Sequence, residues 1–359
     1  MKIIIASGGT LGHLTPIFPV IELLKYEKNE IYLYTSKKQV VNNFYKNNNY
    51  FTKINFYETK GINKKIISTI KTNLKAYHQI KKDLEELKPD VIIGMGGYVS
   101  GIVIKAAHSL KFKTVTYEQN SVIGKANKMC LKYSDKFIYS YENLRIPKKY
   151  EKIKYHLINP RQEYTREQLK LYHEKYNQIL ITSGSLGSEK INETMIQVSK
   201  NFPEYKFIMV SGERYYKELC EIKKTKEIDN LTIIPSTDNL IKYILESKIV
   251  ISRAGATTIS ELIGGNKLAI YIPSPNVTAN HQAKNLEFIY DKELGIVLYE
   301  KNLSAEELTR LINLLLEHQD AYKRRLEIYN QGKSINKFIT IIKEMAVWYY
   351  WKFSEVHRR

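Results

Sequence analysis

Residues 2–16 read KIIIASGGTLGHLTP: an apolar run breaks into three glycines, a threonine and a histidine. This is the pattern of a strand entering a glycine-rich turn ahead of a helix. Free backbone N–H groups at such a helix start attract anions. A titratable imidazole in the same turn adds chemistry to binding. Residues 178–188, QILITSGSLGS, repeat the scheme in the second half of the chain.

Working outward, short apolar or β-branched runs recur: IYLYTS at 31–36, DVIIGMGG at 90–97, KTVTYEQN at 113–120 and KFIYSY at 136–141. Longer amphipathic stretches such as 64–87 lie between them. Such alternation predicts parallel strands joined by crossover helices. YKFIMVSG at 205–212, LTIIP at 231–235, KIVISRAGA at 248–256, LAIYIPSP at 268–275 and GIVLYE at 295–300 continue it. The Asn-Pro break within HLINPRQEYTREQ at 156–168 suits an interdomain join. The expected architecture is α/β: two Rossmann-like, doubly wound domains, 1–159 and 160–335, with their turns facing a central cleft. A tail, 336–359, is expected to return to the first domain. A dinucleotide-binding dehydrogenase fits poorly, because G-G-T-L-G-H is not G-x-G-x-x-G and neither Glu22 nor Glu30 suits the ribose contact.

The chain has 359 residues, 43% of them hydrophobic, with 56 Lys plus Arg against 37 Asp plus Glu, a net charge of +19. The charge is uneven: residues 1–159 hold 27 basic and 12 acidic groups, net +15, and the remainder 29 and 25, net +4. A basic half attracts anionic lipid or a phosphorylated substrate. No nucleic-acid-binding motif accompanies it, so nucleic acid is not an expected partner. The apolar start is too short for a signal peptide, and no run reaches the roughly 18 residues of a membrane span. Cys130 and Cys220 have no metal-ligand spacing.

Four further segments carry candidate chemistry. GMGGYVSG at 94–101 makes a second tight turn in the first half, and YEQNSVIGKANK at 117–128 puts Glu118, Gln119 and Asn120 at a strand end. SRAGATTISEL at 252–262 opens a helix with small residues and hydroxyls, suited to a diphosphate, with Glu261 placed to accept sugar hydroxyls. The same segment also reads as an ordinary capped helix. IPSPNVTANHQAKN at 272–285 is a Pro-bounded loop leading to a helix near His281.

Taken in order, GGTLGH, GMGGYVSG, EQN, NPR, GSLGS, SRAGATTISE and NHQAKN resemble the MurG family, bacterial transferases of N-acetylglucosamine (GlcNAc) that complete the disaccharide of lipid II. The resemblance runs from the first strand to about residue 290. It implies the GT-B fold, with the lipid-linked acceptor on the N-terminal domain and UDP-GlcNAc on the C-terminal one. It places Thr10, Leu11 and Gly12 by the donor sugar and diphosphate, Asn120 on the GlcNAc and Ser185 by the diphosphate. Ala256, Thr257, Thr258, Ile259, Ser260 and Glu261 would hold diphosphate and ribose, and Gln282 the transferred sugar. Arg161 matches the arginine after the family's Asn-Pro. The sequence departs from the family at Leu11, Ile158 and Ser183, where glycine is usual.

His13 is the expected base for the C4 hydroxyl of N-acetylmuramic acid (MurNAc), in an inverting in-line attack; its bland reading is a hydrogen-bond donor or turn cap. Glu118 competes as base, or else orients its neighbours. No D-x-D motif occurs, so no metal cofactor is expected, and leaving-group charge would fall to the helix start. Expected partners are UDP-GlcNAc, lipid I and the anionic cytoplasmic membrane surface, where the protein would sit peripherally. GINKKIISTIKTNLK at 61–75 is the candidate lipid-seeking segment, and a packed amphipathic helix is its alternative. The aromatic, basic ending MAVWYYWKFSEVHRR also fits lipid contact. Rival functions are a UDP-sugar:diacylglycerol glycosyltransferase, a UDP-GlcNAc 2-epimerase-like enzyme and a non-catalytic UDP-sugar-binding scaffold.

Overall fold

A computed structural model describes all residues except 9–10, 37–48, 62–65, 176, 185–186, 276–279 and 357–359; the side chains of 11, 66 and 347–356 are likewise outside the description. The chain divides into two compact units, 1–160 together with 333–359, and 161–332.

Unit 1 runs β1 (Lys2–Ala6), α1 (Leu11–Leu14), a 3-10 turn Thr15–Ile17, α2 (Phe18–Tyr26), β2 (Glu30–Thr35) and β3 (Lys53–Phe56). It continues through α3 (Ile66–Leu87), β4 (Val91–Gly94), α4 (Gly97–Ser109), β5 (Thr114–Glu118), α5 (Lys125–Cys130), β6 (Lys136–Tyr139) and β7 (Lys154–His156). The seven strands form one parallel sheet in the order β3-β2-β1-β4-β5-β6-β7. Ile3, Ile4 and Ile5 are fully buried, as they must be in a strand covered on both faces. The two edge strands, β3 and β7, are mostly half-buried and carry no apolar run, which is why periodicity does not reveal them.

Unit 2 begins within α6 (Pro160–Gln168), after its first residue, and continues with β8 (Gln178–Thr182), α7 (Glu189–Lys200), β9 (Lys206–Val210), α8 (Tyr216–Thr225), β10 (Leu231–Ile234) and α9 (Leu240–Glu246). Then follow β11 (Ile249–Ser252), α10 (Ala256–Gly264), β12 (Leu268–Tyr271), α11 (His281–Asp291), β13 (Ile296–Val297), α12 (Ala305–Glu317) and α13 (Gln319–Tyr329). The parallel sheet is ordered β10-β9-β8-β11-β12-β13. Alternation sorts its core by face: Ile179 and Ile181 pack with Met195 and Leu311, whereas Leu180 packs with Leu262 and Leu326.

The last helix, α14 (Ile335–Val356), belongs to unit 1. Phe338 meets Tyr117 edge-on at 5.6 Å between ring centroids, and the Lys343 ammonium lies 2.8 Å from Glu27, just past the end of α2. In each sheet the strand order reverses direction at one place, between β1 and β4 in unit 1 and between β8 and β11 in unit 2. Ligands on open parallel sheets bind outside the carboxyl ends of strands at such switch points. The glycine-rich segments singled out above lie there.

Candidate active site

In unit 1 the β1 and β4 exits touch backbone to backbone. Gly8 N–H donates to the Gly96 carbonyl at 2.7 Å. A Cβ on Gly97 would stand 2.4 Å from the Gly8 Cα, and Gly96 and Gly97 have φ of 104° and 82°. Only glycine satisfies both the space and the dihedrals. The His13 imidazole lies over this crossing: a Cβ on Gly96 would come within 3.0 Å of Nδ1. Gly12, exposed beside it, uses its carbonyl to accept the Gln119 side-chain N–H at 2.8 Å.

Glu118 is buried at the end of β5, and its carboxylate is fully engaged. Oε1 accepts Asn120 N–H at 3.0 Å and Asn120 Nδ2 at 3.1 Å; Oε2 accepts Gly124 N–H at 2.8 Å and Asn127 Nδ2 at 2.9 Å. Four donors fill the roughly four lone-pair sites of a carboxylate. These bonds support the second expectation for Glu118, that it orients its neighbours: the carboxylate holds Asn120 and folds the 118–127 loop.

In unit 2, Ala256 opens α10 with no side-chain cap. Thr257 and Thr258 are half-exposed in the first turn. Two expected contributors differ. Ile259 is buried in the core, and its N–H is already bonded to the Gly255 carbonyl at 2.9 Å. The Ser260 hydroxyl turns back to the Ala256 carbonyl at 2.8 Å. Open N–H groups are therefore confined to the first turn, as helix geometry requires. Beside that turn, the buried Ser183 and Ser252 hydroxyls have no hydrogen-bond partner among the described residues. They end adjacent strands, since Ser252 is in register with Thr182. Buried, unpaired hydroxyls at a strand end are expected where a polar ligand or water completes them.

Arg161, which its match to the family would put on the donor, pairs with a carboxylate of α10. Its Nε and Nη2 both donate to Glu261 Oε1, at 2.9 and 2.6 Å. The pair is well buried, and the guanidinium orients the carboxylate through its Oε1. On α11, the Gln282 side chain is held by its own carbonyl, which accepts Ser274 N–H at 2.8 Å, so the amide NH2 is not spent on that bond. His281 follows Asn280, a left-handed residue with φ of 52°. Thr10 and Ser185, and the side chain of Leu11, lie outside the described residues.

Sequence reasoning assigned no role to Arg253, Asn127 or Gln119. Arg253 is a hub: Nη2 reaches Ser188 Oγ at 2.7 Å and Glu300 at 2.5 Å, while Nη1 donates to the Ile272 and Pro273 carbonyls at 3.3 Å. It ties the β8, β11 and β12 exits together. The signal for such residues is slight, because their partners are far away in sequence. Among the described residues no group of three or more His, Cys, Asp or Glu is arranged to hold a metal ion.

Residues 3–139 match the glycosyltransferase family 28 N-terminal domain and 178–343 its C-terminal domain. A Leuconostoc mesenteroides protein named UDP-N-acetylglucosamine--N-acetylmuramyl-(pentapeptide) pyrophosphoryl-undecaprenol N-acetylglucosamine transferase is 32% identical, covering 93% of this chain and 95% of its own. A Bacillus cytotoxicus protein of the same name is 32% identical over 96% and 99%. Among solved structures, Acinetobacter baumannii MurG superposes with a TM-score of 0.77 at 21% identity, covering 96% of this chain and 100% of that one. The Neisseria meningitidis UDP-GlcNAc 2-epimerase shares the fold, with a TM-score of 0.66 at 15% identity over 97% and 100%. With both domains matched and relatives this similar end to end, the chain belongs to the MurG family, within glycosyltransferase family 28.

Proposed function

We propose that this protein transfers GlcNAc from UDP-GlcNAc to the C4 hydroxyl of MurNAc in undecaprenyl-pyrophosphoryl-MurNAc-pentapeptide, lipid I, with inversion, giving lipid II. The observation that carries the donor half is the uncapped first turn of α10, with the Ser183 and Ser252 hydroxyls beside it and a carboxylate oriented by Arg161. The first-turn N–H groups and Thr257 and Thr258 hydroxyls suit a diphosphate; Glu261 Oε2 suits the ribose. Asn120, set by Glu118, and the Gln282 amide suit the hydroxyls of the sugar. The acceptor follows from the names of the relatives.

His13 takes the C4 hydroxyl proton as that oxygen attacks the anomeric carbon. The bond to the diphosphate breaks, and UDP leaves with the electron pair. The developing charge falls on the N–H groups of α10, so the residues present supply the stabilisation that D-x-D enzymes draw from a metal. Glu118, with its lone pairs filled, is the weaker base.

The bilayer is reached through α3. Its second half packs Ala76, Ile80 and Leu84 into the core, but its first half exposes Ile67, Ile70 and Leu74, at 85%, 54% and 53%. Those three share a face at i, i+3 and i+7, and exposed Lys71 and Lys75 lie among them. This is an apolar stripe with basic flanks, suited to the anionic cytoplasmic leaflet. No helix among the described residues is long and apolar enough to cross a membrane.

The test is incubation of pure protein with UDP-GlcNAc and a lipid I analogue, with diacylglycerol as a control acceptor. Disaccharide and UDP are expected with lipid I alone. Turnover with diacylglycerol alone, or none with either, rejects the assignment.

A further inference from the structure

His13 stands on a helix of four residues, too short to hold its own orientation. What fixes it must come from outside. In an α-helix the Gly12 carbonyl would be taken by the N–H four residues on, but that residue is Pro16, which has no N–H. Gln119, on the end of β5, supplies the missing donor: its Nε2 lies 2.8 Å from the Gly12 carbonyl oxygen. The Gln119 side chain is buried, and its Oε1 has no hydrogen-bond partner among the described residues. Flipping the amide would set oxygen against oxygen, so the orientation is dictated by the Gly12 carbonyl. An acceptor left bare in the interior is costly, and it persists here in the service of that one bond. On its other side the His13 ring rests on Gly96. The imidazole therefore rests on a glycine platform, and its helix is tied to the exit of β5 by the Gln119 hydrogen bond.

We propose that Gln119 is a positioning residue for His13: by donating to the Gly12 carbonyl it sets the imidazole for proton transfer. This rests on the reading of His13 as the base.

A double-mutant cycle tests it, with Gln119→Met and Gln119→Glu as two independent removals of the donor at nearly constant volume. UDP-GlcNAc binding and the thermal midpoint verify that each variant is folded. Either substitution is expected to lower kcat about tenfold, the worth of one well-placed hydrogen bond, with UDP-GlcNAc affinity changed less than twofold. In a His13→Ala background the same substitutions are expected to have no further effect on kcat. An equal fold-loss in both backgrounds, or a loss confined to donor affinity, overturns the positioning role. Near-normal turnover by His13→Ala alone instead overturns the base role, so the two failures are distinguishable.

Discussion

Four N–H groups converge on the buried Glu118 carboxylate and hold it in place. Glu118→Gln would replace an acceptor oxygen with an NH2 that faces N–H donors. The expected outcome is a stability loss of about 1–3 kcal/mol and a KM for UDP-GlcNAc raised about tenfold as Asn120 shifts. The acid limb of the kcat/KM profile should survive, and a variant that loses that limb would make Glu118 the base after all. Residue identity at the site was legible in the ordered motifs, but residue partnership was not. Position in SRAGATTISE places Ile259 in the motif, yet the 3.6-residue turn sends its side chain into the core. NPR places Arg161 at the right point of the chain, but its partner lies 100 residues away on α10.

Among the elements, the two glycine turns of unit 1 separate glycines that geometry requires from those it tolerates. A Cβ at position 97 would meet the Gly8 Cα at 2.4 Å, on a backbone with φ of 82°, whereas a Cβ on Gly12 would meet nothing within 4 Å. Gly97→Ala is therefore expected to cost about 3 kcal/mol or more, with the β1 and β4 exits forced apart. Gly12→Ala, inside α1, should be neutral or gain up to about 1 kcal/mol. Urea unfolding of the pair decides the matter; equal losses would mean that the crossing is not what demands glycine. The sequence marks both turns as glycine-rich without ranking their members, because the clash is between strands that only the sheet order makes neighbours. The same blindness hid β3 and β7, whose edge positions relieve them of an apolar pattern. On α3 the periodicity does not show where burial stops: Ala76, Ile80 and Leu84 pack, while Ile67, Ile70 and Leu74 are exposed.

At the scale of the whole molecule, two parallel sheets were legible because each central strand is a nearly continuous apolar run. The charge division was legible as arithmetic. The burial of tyrosines was not, since 28 of them are scattered through a sequence that exposes some and encloses others. Tyr57, Tyr117 and Tyr271 are enclosed, and each phenol is pushed well above its ordinary value, chiefly by burial; at Tyr57 the hydrogen bond to Asp83 adds to it. The unfolded chain ionises these phenols near pH 10, whereas the folded protein keeps them neutral. Above about pH 10 the folded state therefore binds more protons than the unfolded one, and stability must fall as pH rises. Below that pH these groups contribute no slope. Each such tyrosine contributes about 1.4 kcal/mol per pH unit once the unfolded phenol is ionised. Tyr57 and Tyr117 belong to unit 1 and Tyr271 to unit 2, so both units are exposed to the effect. Urea midpoints should drop steeply above about pH 10, with the phenolate absorbance of these three residues appearing only as the chain unfolds. A midpoint indifferent to pH in that range, or phenolate rising in the folded protein, would show that water reaches these rings and that the two cores are looser than their packing indicates.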